Sequence, residues 1–286
     1  MKKRWLSLLA CALLLTGCSR GAAESTAETL PPMTEAPDPV LIYYVNDHGT
    51  TDIGQLSSFS ERLRNTGYTL QADSFQELPM NANAVIVNSP AADLTADEVT
   101  LLDQYMDTGG HLLFLMPADE STTRYKYWER FLEEYCILMD YDRVTETEDL
   151  YMWESDPAFP YIEQVSAPEQ MVVLPGTAAT SLFMHNARSF HFVVLDNYTN
   201  IRQDGILESK ASAVGVPCGG TADDPVQYEG EQLMTMLYSR DTSRKESFVV
   251  CVGASDFLLD ANYSAKSSSS AQDYVYAALD WAVSRS

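Results

Sequence analysis

Leu94-Thr95-Ala-Asp-Glu98-Val99-Thr-Leu-Leu102-Asp-Gln-Tyr105-Met106-Asp-Thr-Gly109-Gly110-His111-Leu-Leu-Phe-Leu-Met116 is the stretch that decides the fold. Thr95 and Glu98 stand at capping-box spacing: the hydroxyl accepts from the backbone N–H three residues on, and the glutamate reaches back to the threonine N–H. Val99, Leu102, Tyr105 and Met106 then recur at helical intervals and make one face apolar. Gly109-Gly110 ends that helix. His111-Leu-Leu-Phe-Leu-Met116 is a near-continuous apolar run, as a strand buried on both faces requires.

Reading outward, Ala84-Val-Ile-Val-Asn88 is a second such run upstream. Strand, helix and strand with short connections make a βαβ unit, hence a parallel sheet with helices on its faces. Val40-Leu-Ile-Tyr-Tyr-Val45 predicts an earlier buried strand, followed by a helix over 55–65 closed by Gly67 and an alternating strand over 68–72. A helix over 125–135 and a strand over 137–140 follow. From about 144 to 247 the pattern turns β-rich and irregular, with candidate strands over 171–174, 190–195 and 233–238. The run at 247–253 and a helix over 271–283 are expected to complete the sheet begun at Val40. The expectation is one α/β domain over 40–286 with a β-rich insertion over about 144–247.

Composition separates the first forty residues from the rest. The chain has 286 residues, 45% of them hydrophobic, and a formal charge of −23. A surface this acidic repels nucleic acid, so no nucleic-acid partner is expected. Met1 to Arg4 is basic, an apolar stretch too short to span a bilayer follows, and Leu15-Thr-Gly-Cys18 comes next. That order resembles a bacterial lipoprotein signal, with cleavage after residue 17 and fatty acyl chains on Cys18. Residues 18–39, rich in Ala, Thr, Glu and Pro, cannot bury a core and are expected to form a flexible tether. The expected address is the outer face of the cell membrane, held by lipid.

Three short segments carry a resemblance. The stretch from Ala92 to Met116 resembles the middle of GldG-like proteins, the auxiliary extracytoplasmic domains of certain ABC transport systems. Phe131-Leu-Glu-Glu-Tyr-Cys-Ile-Leu138 is similar to a family segment in which glycine is usual where Cys136 stands. Val249-Val-Cys-Val-Gly-Ala-Ser-Asp-Phe257, with a later helix ending Ala278-Leu-Asp-Trp-Ala282, resembles the family's close. The resemblance implies a flavodoxin-like or glutamine-amidotransferase-like α/β fold without the amidotransferase nucleophile. It also implies partnership with ABC permease and ATPase subunits.

Motifs for chemistry are sparse. Gly253-Ala-Ser255-Asp256 follows a strand, but Phe257 stands where a nucleophile elbow needs glycine. The histidines His48, His111, His185 and His191 show no His-Glu-x-x-His pattern, and no metal or cofactor is expected. His185 and His191 are close enough in sequence to share a site. In open α/β sheets ligands bind beyond the carboxyl ends of the strands. The loops there are 46–54, 88–94, 116–122 and 253–256, and the polar groups they offer are Asn46, Asp47, His48, Asn88, Ser89, Asp119, Ser255 and Asp256. Tyr125-Lys-Tyr-Trp128 and Tyr151-Met-Trp153 offer aromatic faces for a glycan. The expected function is a non-enzymatic accessory or binding component. The alternatives are a glycan- or small-ligand-binding lipoprotein, and a hydrolase acting through Ser255 or Cys218.

Overall fold

The computed structural model describes residues 39–285 except 122, 167, 169–170, 172–181, 194–197, 219–231 and 266–268. The signal segment, Cys18, the tether up to 38 and nearly all of the strand expected over 171–174 lie outside the described residues.

In chain order the elements are β1 (Leu41–Val45), α1 (Ser57–Asn65), β2 (Thr69–Asp73), β3 (Ala84–Asn88), α2 (Ala96–Asp107), β4 (His111–Leu115), α3 (Lys126–Glu134), β5 (Ile137–Met139), β6 (Asp142–Thr145), β7 (Met152–Trp153), β8 (Asp156–Gln164), β9 (Leu182–Phe183), β10 (Phe190–Phe192), β11 (Ile201–Ser209), β12 (Val214–Pro217), β13 (Met234–Asp241), β14 (Ser247–Val252) and α4 (Ser269–Val283). One large sheet runs β2-β1-β3-β4-β14-β13-β11-β8-β7. Its first five strands are parallel. β13, β11 and β8 then extend it antiparallel. The order 2-1-3-4 followed by a fifth parallel strand is the flavodoxin-like doubly wound arrangement, whose strand order reverses between β1 and β3.

Buried strands explain the apolar runs. Ile42 and Tyr44 face one core with Phe59, Leu63, Val275 and Trp281, under α1 and α4. Tyr43 and Val45 face the other with Leu102, Tyr105, Trp128 and Phe131, under α2 and α3. The capping box at Thr95 and Glu98 forms as expected. Each glycine of the Gly-Gly turn has its own reason. Gly109 holds φ +94, a left-handed conformation that glycine adopts without a Cβ penalty. At Gly110 a Cβ would overlap the Tyr105 ring, whose hydroxyl accepts from His111 N and donates to its carbonyl.

The β-rich region thus extends the central sheet. β6 leaves it to pair with β12 in a small second sheet. Among the described residues no helix is long and apolar enough to cross a membrane.

Candidate functional site

The reversal between β1 and β3 places their following loops side by side. Thr51 N donates to Asn88 O at 2.9 Å, and Ala91 N donates to His48 O at 2.9 Å, which ties the two loops together. The eight residues expected to gather here fall into separate groups.

The β1 loop carries the first. Asn46 Oδ1 accepts from Ile53 N, and Asp47 Oδ2 accepts from Phe75 N beyond β2. His48 holds φ +55 and Gly49 φ +68. This left-handed pair turns the chain so that His48 Nε2 meets Glu98 Oε1 at 3.0 Å. Burial pushes the Glu98 carboxyl up, but hydrogen bonds from Thr95, His48 and Gln76 prevail and hold it below its ordinary value.

Asn88, Ser89 and Ser255 make the second group. Ser89, at φ +53, points its hydroxyl to within 2.7 Å of the Ser255 hydroxyl and donates to Asn88 Oδ1 at 3.1 Å. Ser255 therefore has a hydroxyl, not an imidazole, as its hydrogen-bond partner. That does not activate a serine nucleophile, which needs an adjacent base.

Asp256 belongs to the third group. Its Oδ2 lies 2.6 Å from His185 Nδ1. That hydrogen bond lifts the His185 pKa, against the opposing effect of burial. The pair lines a cleft of about 310 Å³ with Asp156, Phe159, Phe183 and Asn262. Behind it Trp153 packs edge-on to Phe183 at 5.1 Å, and Phe159 lies 5.3 Å from the His185 ring. The cleft so combines two aromatic side chains, the half-buried Phe159 and the largely buried Phe183, with carboxylate, imidazole and amide groups.

Asp119 joins none of these groups. Its carboxylate accepts from Ser121 N in a local turn. Its carbonyl accepts from Cys218 Sγ at 2.9 Å.

Three sequence readings need correction. His185 and His191 do not share a site, because His191 pairs with Asp140 instead. Tyr125 and Trp128 are core residues and offer no face to a glycan. Cys218 is a buried free thiol. Burial pushes its pKa up to about 11, which makes it a poor nucleophile. The cleft residues Asp156, Phe159, Phe183 and Asn262 escaped the sequence, as did the second role of Glu98. The insertion carries no periodicity to mark Asp156, Phe159 and Phe183, Asn262 stands in a polar loop before α4, and the capping box alone explains Glu98.

No family model matches this chain, and no curated protein matches it. Solved structures do. The N-terminal domain of mmIFT52 superposes with a TM-score of 0.61 at 15% identity, over 84% of this chain and 96% of that one. A ThuA-like protein from Bacteroides uniformis superposes with a TM-score of 0.52 at 15% identity, over 89% of this chain and 96% of that one. At such identities the likeness speaks for the fold, and the chain has the α/β architecture, a mostly parallel sheet with flanking helices and a β-rich insertion, that the sequence reading expected.

Proposed function

We propose that the chain is a binding protein anchored by lipid on Cys18 to the outer face of the cell membrane, where the cleft at His185 and Asp256 takes a small polar ligand. The cleft carries this reading. Ligand sites are concave and mostly apolar, with a few placed polar groups, and start at about 300 Å³. Phe159 suits the C–H face of a sugar ring, and Asp156, His185, Asp256 and Asn262 suit its hydroxyls. The site lies after β14, on the side of the sheet at the carboxyl ends of the parallel strands, the side on which this fold class binds its ligands. The hydroxyl pairing of Ser255 favours binding over hydrolysis.

Calorimetric titration of the full-length protein in mild detergent with neutral mono- and disaccharides and soluble cell-wall glycan fragments tests the reading. The expected result is saturable binding that Phe159→Ala weakens about tenfold or more, the effect of losing roughly 1.4 kcal/mol of contact. Binding by none of these ligands, or binding unchanged in Phe159→Ala, contradicts it.

The motif resemblance over 92–116 and 249–257 favours a second reading, an accessory role beside an ABC transporter. Affinity capture of the lipid-anchored protein from its own membranes, read by mass spectrometry, tests that role. Recovery of permease and ATPase subunits supports it; a membrane-bound protein recovered without them removes it.

A further inference from the structure

Three donors of different origin converge where β1 ends. Asp47 and His48 are chain neighbours whose side chains would diverge on an extended strand, and the left-handed turn at His48 and Gly49 brings both toward the first turn of α2. There they meet Glu98. One oxygen of Asp47, one of Glu98 and a ring nitrogen of His48 lie within 4.8 Å of one another. His48 Nε2 stands 3.0 Å from Glu98 Oε1 and 3.8 Å from Asp47 Oδ1. Two ligand atoms each about 2.1 Å from a tetrahedral ion lie roughly 3.4 Å apart. The two observed separations bracket that spacing.

The remaining atoms of the carboxylates are already committed. Glu98 Oε2 accepts from Thr95 N and Thr95 Oγ1, both at 2.8 Å, and Oε1, which also accepts from Gln76 Nε2 at 3.3 Å, faces His48. Asp47 Oδ2 accepts from Phe75 N at 2.8 Å. Asp47 Oδ1 is shielded from solvent and has no hydrogen-bond partner, although 29% of the Asp47 side chain is exposed and His48 Nε2 stands 3.8 Å from this oxygen. A carboxylate oxygen withdrawn from water without a donor is costly to hold. The His48–Glu98 hydrogen bond alone accounts for the loop's attachment to α2, but leaves this oxygen unexplained. A cation between the three donors satisfies it. The positive end of α2 opposes a cation there, and Asp97 and Glu98 in its first turn offset that field.

The geometry points to a divalent metal site formed by Asp47, His48 and Glu98, taking a first-row ion of the zinc or manganese class. Two carboxylates and one imidazole suit such ions, and three protein ligands leave a coordination position open. His48 would bind through Nε2 as neutral imidazole with its proton on Nδ1. The site is separate from the His185 cleft, and the two stand or fall independently.

The test is calorimetric titration of the full-length protein, purified in mild detergent and stripped with EDTA, with ZnCl2 and with MnCl2 at physiological salt. One equivalent of saturable binding is expected, with a rise in melting temperature that EDTA reverses. Asp47→Asn and His48→Gln keep side-chain size, and each is expected to weaken binding by more than about tenfold, the least that even an outer-shell change costs. Circular dichroism checks that both variants stay folded. Three outcomes overturn the site: no binding, several weak equivalents abolished by salt as for a diffuse acidic surface, or one-site binding retained in both folded variants.

Discussion

Gly253 and His185 carry the candidate cleft at the scale of single residues. Gly253 N donates to Thr235 O at 2.7 Å, and Gly253 O accepts from Arg188 N at 2.8 Å. A Cβ at this position would overlap the Arg188 carbonyl, so the glycine of the Gly-Ala-Ser-Asp-Phe segment is a close-approach glycine. Gly253→Ala is expected to destabilise the fold by about 1–3 kcal/mol, the usual cost of overpacking, measured by urea unfolding. Cys136 makes a related point. It holds φ +56, a left-handed backbone conformation that favours glycine. His185 supplies a pH signature. Its pKa is raised mainly by the Asp256 hydrogen bond, so the pair stabilises the fold fully below the ordinary imidazole value of about 6.5. That contribution is lost as pH rises through the folded value. Asp256→Asn is expected to bring the His185 pKa down, as read by NMR of its ring. An unchanged value would mean that the pair does not form.

Secondary-structure elements differ in how plainly the sequence announces them. The parallel strands are buried on both faces, so β1, β3, β4 and β14 read directly as apolar runs. The antiparallel extension does not. β11 is Ile-Arg-Gln-Asp-Gly-Ile-Leu-Glu-Ser, with three consecutive polar residues, Arg202 to Asp204, in its first half. β8 carries Pro157 and Pro160, residues that argue against a strand when read locally. The cleft was hidden for the same reason, since His185 and Asp256 are 71 residues apart and only the fold joins them. The capping box was legible because it is local. Thr95→Ala is expected to cost about 1 kcal/mol in chemical unfolding. β4 opens with a less evident cost. His111 is 2% exposed, stacks on Phe248 at 4.0 Å, and leaves both ring nitrogens without partners. Burial, helped by the charge of Arg285, lowers its pKa to about 4. The unfolded chain therefore binds the extra proton between about pH 6.5 and 4, and stability falls as pH drops through that window. Asp142, pushed up to about 6 chiefly by burial, acts in the opposite direction, so only a difference between variants isolates the histidine. His111→Phe is expected to lose on the order of 2–3 kcal/mol less stability than the parent on going from about pH 7 to about pH 4.5. Equal losses in urea unfolding would contradict the assignment.

For the whole molecule, the proposed anchor and the proposed cleft make separable demands. The formal charge of −23 grows more negative if the basic start of the chain is removed, and it does not favour adhesion to anionic lipid. Under the proposed anchoring, membrane attachment depends on lipid at Cys18. Cys18→Ser is expected to move the protein from the membrane fraction to the soluble or secreted fraction, and a variant that stays in the membrane would overturn the lipoprotein assignment. The cleft is tested most directly through its histidine. The chain has four, His48, His111, His185 and His191, so selective labelling gives a small set of ring signals from known places in the fold. The decisive measurement is NMR of histidine-labelled protein during titration with soluble cell-wall glycan fragments and simple sugars. The account predicts saturable shifts of the His185 ring signals, with the core residue His111 unmoved. Saturable binding that leaves His185 unchanged, or no binding to any of these ligands, would contradict it.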